Sequence, residues 1–77
     1  MRRLYFDRIV VDPGIMVGKP VFKGTRIPIY IILDLIGDGI PEEEIIKLYP
    51  DITGEDIKAS LKFASMMMER QEIYETA

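Results

Sequence analysis

PIYIILDLIGDGIPEEEIIKLYPDITGED (Pro28–Asp56) decides the fold of this chain. It contains two apolar runs, each closed by a helix stop, and the opening of a third. The first run begins at Pro28, which suits the first turn of a helix because its missing N–H would have no partner there anyway. It stops at Gly37-Asp38-Gly39, where glycine accepts the left-handed conformation that ends a helix. The second runs from Pro41 to Tyr49. Glu42, Glu43 and Glu44 at its start complement the positive end of the helix dipole, and Pro50 closes it. Thr53 followed by Asp56 is an aspartate version of the capping box, which predicts a third helix from there to about Tyr74.

Helical periodicity assigns faces to these elements. In helix 1, Ile29, Ile31, Ile32, Leu33, Leu35 and Ile36 spread over about 200°, twice the arc one core face needs. That excess implies a central helix or an oligomer interface. Helix 2 sets Ile45, Ile46, Leu48 and Tyr49 against Glu43, Glu44 and Lys47. Helix 3 carries two stripes. Ile57, Leu61, Ala64 and Met68 are assigned to the protomer's own core, and Ala59, Phe63, Met66, Arg70 and Ile73 to a partner. Two stripes on one helix predict an oligomer, most simply a homodimer, or a complex. Met66-Met67-Met68 is read as adaptable packing.

Upstream of the helices, residues 1–27 read as extended chain with turns. Arg8–Val11 is a β-branched run stopped by Asp12-Pro13-Gly14. Val21-Phe22 and Arg26-Ile27 are expected as short edge strands joined through Lys23-Gly24, since Pro20 and Pro28 cannot donate to a ladder. The whole is therefore expected to be one domain over 1–77, mainly α. Residues 1–27 form an extended or hairpin segment and residues 28–77 the helical part.

The chain's 77 residues carry a net charge of −3, distributed unevenly. Residues 1–26 hold six bases against two acids, and residues 27–77 hold four against eleven. Nucleic-acid binding rests on neutralising phosphates, so any such contact must come from Arg2, Arg3, Arg8, Lys19, Lys23 and Arg26, with Lys58 and Lys62 of helix 3. Helices 2 and 3, joined by Pro50–Thr53, match a helix-turn-helix in length, but the second of them opens with Glu55 and Asp56, which repel phosphate. Thirteen isoleucines, no asparagine and a single glutamine suggest a thermophilic source or an AT-rich genome.

Several chemistries are set aside by composition. Histidine and cysteine are both absent, which removes disulfides, the usual zinc ligands, thiol nucleophiles and imidazole bases. Thr25, Ser60 or Ser65 as a nucleophile would need a lysine or carboxylate base, and one helix cannot converge Glu42-Glu43-Glu44 on a metal. Gly14–Pro20 superficially matches a phosphate-binding loop, but its glycine spacing is one residue short and Pro20 stands where a hydroxyl belongs. No enzyme, cofactor or metal is expected. No apolar run reaches the ~18 residues that span a bilayer and no signal-peptide pattern opens the chain, so a soluble cytoplasmic protein is expected.

GKPVFKGTRIP (Gly18–Pro28), with Ile9, Asp12-Pro13, Ile32–Leu35, Gly39, EEEIIKLYPDIT (Glu42–Thr53) and Asp56-Ile57, resembles the prokaryotic domain-of-unknown-function family number 433. The likeness covers residues 8 to 64. It implies a small three-helix domain of homeodomain-like or winged-helix-like type, and an antitoxin role paired with a PIN-like ribonuclease toxin. Two positions depart from the family pattern: Val17 replaces the first glycine of Gly-Gly-Lys-Pro, and Pro41 stands where a Ser or Thr cap is common. Gly24-Thr25-Arg26 has an architectural reading, with glycine supplying positive φ, threonine bonding the turn backbone and arginine clamping an acceptor. The function expected is a non-enzymatic antitoxin-type regulator that binds a toxin nuclease and its own promoter DNA. The alternative is a protein-interaction module with no affinity for nucleic acid.

Overall fold

The structure, a computed structural model, describes residues 1–70. Three short strands, β1 (Arg3–Tyr5), β2 (Ile9–Val11) and β3 (Val21–Phe22), precede three helices, α1 (Ile29–Gly37), α2 (Glu42–Leu48) and α3 (Gly54–Arg70). The fold is mainly α with an N-terminal β segment, as expected. The sheet is antiparallel in the order β1-β2-β3, with Tyr5 opposite Ile9 and Val10 opposite Val21.

The helix boundaries follow the local chemistry. Pro28 and Pro41 each sit one residue before a helix as its N-cap. Gly39, at φ +83°, reverses the chain after α1, and its N–H donates to Ile36 O. The capping box of α3 is formed in both directions: the Asp56 N–H donates to Thr53 Oγ1 (3.2 Å) and the Thr53 N–H donates to Asp56 Oδ2 (2.9 Å). The turn at Lys23-Gly24 is also present, but Arg26-Ile27 does not extend into a strand. Two hydrogen bonds, from Phe22 N–H to Ile27 O and from Ile29 N–H to Pro20 O, close an isolated bridge between Val21 and Pro28, and the ladder goes no further because the prolines have no N–H to donate. Strand β1 was not anticipated. Its hairpin turns through Phe6 and Asp7, both at positive φ, without the Asn-Gly signal that marks such turns in sequence.

The core gathers Ile9 and Phe22 of the sheet, Ile29 and Ile32 of α1, Ile45 of α2, Ile52 between α2 and α3, and Ile57, Ala59 and Phe63 of α3. Helix α1 touches both other helices, as α2 and α3 do in turn, and Leu33, Leu35 and Ile36 pack against the same core. All of its apolar arc but Ile31 is therefore used inside the protomer.

Helix α3 does have two stripes, and Ile57 is buried as assigned at 5% exposed, but Leu61 and Met68 exchange roles with Ala59, Phe63 and Met66. Phe63, assigned to a partner, is 5% exposed and meets Tyr5 edge-on with ring centroids 5.1 Å apart. Ala59 is buried with it and Met66 packs against the same core. Leu61 and Met68, assigned to the core, are 46% and 54% exposed. The sheet is the reason: Tyr5 reaches the Phe63 face, and a core drawn from three helices alone has no such surface. Arg70 is exposed at the end of α3, and Ile73 lies outside the described residues.

Candidate functional site

The eight candidate nucleic-acid-binding bases separate into two groups. Arg8 is engaged internally, its Nη1 donating to Asp56 Oδ1 at 3.0 Å and reaching Thr53 Oγ1 at 3.5 Å. It ties the sheet to the N-terminus of α3 and is not available as a free phosphate contact. Lys23 Nζ pairs with Asp7 at 3.7 Å and Lys58 with Glu55 at 3.6 Å. Lys19 Nζ stands 5.0 Å from the centroid of the Tyr30 ring, a cation–π contact. Arg2, Arg3, Arg26 and Lys62 make no ion pair among the described residues.

Strand alternation divides the adjacent arginines. Arg3 shares the helix-side face with Tyr5, Ile9 and Phe22, while Arg2 falls on the opposite face with Leu4, Val10 and Val21. Val10 and Val21 are only 2% and 1% exposed, yet they stand outside the main core cluster. With Ile15, which the loop after β2 brings over, they floor a cleft of about 340 Å³ on this second face.

The rim of that cleft holds Arg2, Gly24, Thr25 and Arg26. Gly24 at φ +78° permits the turn. Thr25 fixes it, its hydroxyl donating to Phe22 O (2.8 Å) and accepting from the Ile27 N–H (3.0 Å). The architectural reading of Gly24 and Thr25 therefore holds, whereas Arg26 clamps no carboxylate among the described residues. Sequence distance hid the result: Arg2 and Arg26 lie far apart in the chain and line one cleft. No acidic side chain lines it.

The corner between α2 and α3 presents a different surface. Lys58, Leu61, Lys62, Ser65 and Met68 recur at helical spacing on the outward face of α3, all exposed. Among the candidate nucleophiles, Ser60 is fully buried and donates to Ile57 O at 2.7 Å, so its hydroxyl serves the helix. No group of three or more carboxylates among the described residues is placed to hold a metal ion, and no helix among them is long and apolar enough to cross a membrane.

Residues 9–64 match the model of a family described as "Protein of unknown function (DUF433)". An uncharacterised protein of Archaeoglobus fulgidus is 70% identical over 23 residues, 30% of this chain and 64% of that protein. The uncharacterised protein y4eO of Sinorhizobium fredii is 29% identical over 56 residues, 73% of this chain but 25% of its own length. A crystal structure of a DUF433 member from Anabaena variabilis superposes with a TM-score of 0.75 at 28% identity, covering 84% of this chain and 64% of that one. The chain thus spans less than two thirds of each of these relatives.

Proposed function

The chain belongs to the DUF433 family of proteins of unknown function, and on that premise we propose a non-enzymatic, antitoxin-type regulator that binds a toxin nuclease and its own promoter DNA. The observation that carries this reading is the outward face of α3. Leu61 and Met68, seven residues apart and half-exposed, form an apolar stripe flanked by Lys58 and Lys62. An unpartnered apolar stripe with a basic border suits a protein partner, either a second copy of this chain or an acidic patch on a PIN-like ribonuclease. For DNA, the candidate bases without an ion pair among the described residues are Arg2, Arg3, Arg26 and Lys62.

The two halves are tested separately. Leu61→Glu should abolish co-purification with a co-expressed PIN-like ribonuclease, and should convert a homodimer to monomer in analytical ultracentrifugation. A wild-type chain that sediments as a monomer and does not associate with that nuclease overturns the protein-binding half. A promoter fragment should bind with an affinity that falls steeply with salt, and Arg3→Ala or Lys62→Ala should each lower the log–log slope by about one unit. The second reading, an interaction module with no nucleic-acid affinity, is favoured by Glu55 and Asp56 at the start of α3. A promoter fragment that fails to bind at 50 mM salt selects it.

A further inference from the structure

We infer that the cleft on the outer face of the sheet is a binding site for a small phosphate monoester carried on an apolar or aromatic body. Two arginines, Arg2 and Arg26, are among the residues lining one concavity whose wall contains no carboxylate, in a chain of net charge −3. Elsewhere among the described residues Arg8, Lys23 and Lys58 are paired with carboxylates and Lys19 stands over a tyrosine ring, while Arg3, Lys47, Lys62 and Arg70 make no ion pair and line no such concavity. These two are not paired among the described residues, and bringing like charges to one cleft is unfavourable until an anion joins them.

Charge and shape choose the ligand class. A phosphate monoester carries about −1.5 to −2 at neutral pH, which balances two guanidiniums. A carboxylate or a backbone phosphodiester carries a single charge and leaves one arginine uncompensated. Arginine's planar fork suits bidentate contact with phosphate oxygens. Below the rim the lining is aliphatic, with half-buried Ile15 presenting its surface over Val10 and Val21, which are themselves 2% and 1% exposed, so the remainder of the ligand is a small apolar or flat group that packs on Ile15. A volume of about 340 Å³ lies at the small end of the range for small-molecule sites. The turn that presents Arg26 is already fixed by the two hydrogen bonds of Thr25, so that side of the rim is preorganised. This site is separate from the α3 face that carries the protein-binding half of the proposed function, and it shares Arg2 and Arg26 with the DNA-binding half, which is why duplex DNA is one arm of the test.

The test is titration of the full-length ¹⁵N-labelled protein with phenyl phosphate, followed by NMR. Saturable shifts are expected at the amides of Val10, Val21, Gly24 and Thr25. Arg26→Ala and Arg2→Ala should each weaken binding about tenfold or more, the size of a lost charge-assisted hydrogen bond. Arg26→Lys, which keeps the charge and loses the fork, should not restore it fully. Benzoate, dimethyl phosphate and inorganic phosphate should each bind more weakly, as each lacks either the second charge or the apolar body. Affinity should drop as pH falls through about 6, where the monoester loses its second charge. Both arginines are exposed, so the variants should melt like the wild type. No saturable shift at the cleft, equal affinity for benzoate and phenyl phosphate, or indifference to both alanine variants would overturn the proposal. So would displacement of phenyl phosphate by duplex DNA, which would assign the cleft to a nucleic-acid backbone.

Discussion

Val17 has φ +58° and ψ +36°, between Met16 at φ +50° and Gly18 at φ +81°, and it is 93% exposed. A β-branched residue in the left-handed region is a genuine outlier, since its Cβ crowds the carbonyl. Three consecutive left-handed residues are cheap only when glycines supply them, and here only the third is one. Val17→Gly should therefore stabilise the fold. The strain relieved, about 1–2 kcal/mol, exceeds the added entropy of the unfolded chain, about 0.4–1 kcal/mol. The net gain of about 1 kcal/mol should raise the melting temperature by roughly 4–8 °C in a domain of this size. A calorimetric scan showing no rise would place the strain elsewhere.

At the scale of elements, α3 shows what periodicity reads and what it leaves open. Both stripes exist at the spacing the residues dictate, and their assignment follows from the strand that packs beside them. Phe63→Ala should cost about 3–5 kcal/mol through the cavity left beneath Tyr5, and Phe63→Glu should leave the chain unfolded by burying an unpaired carboxylate. Leu61→Glu, on the outward stripe, should shift stability by no more than about 0.5 kcal/mol. Circular dichroism melts of the variants decide it, and a folded Phe63→Glu protein beside an unfolded Leu61→Glu protein would reverse the faces again.

Across the whole molecule, the connection between the sheet and the helices depends on few groups. Arg8 carries the polar part of it, reaching from the turn just before β2 to the capping box of α3. Its side chain is 41% exposed, so Arg8→Ala should cost about 1 kcal/mol or less. Asp56→Ala removes both the ion pair and the cap and should cost about 2 kcal/mol. The two losses should not add in the double variant, because they share one contact. Urea melts of the four proteins measure the coupling, and strict additivity would mean that Arg8 and Asp56 do not interact in solution. The same contact explains why the basic segment offers less to a nucleic acid than its composition suggests.

The three helices, their stops at Gly39 and Pro50, the Thr53–Asp56 cap and the strand at Ile9–Val11 are all legible in the order of the residues. Each of these depends on residues within a few positions of one another, where backbone sterics and hydrogen bonding act locally. The sequence also marked Gly24-Thr25 as a turn, since glycine at positive φ and a threonine hydroxyl satisfy nearby backbone groups. Only the tertiary structure decided which stripe of α3 is core, because burial depends on what packs against it, and Tyr5 arrives from a hairpin whose turn, Phe6-Asp7, has no glycine or asparagine to announce it. Tertiary structure likewise decided the fate of the charges. Arg8 is drawn to Asp56 from 48 residues away, and Arg2 and Arg26 are left together on one cleft by the pleat of the sheet, which sends Arg3 to the other side.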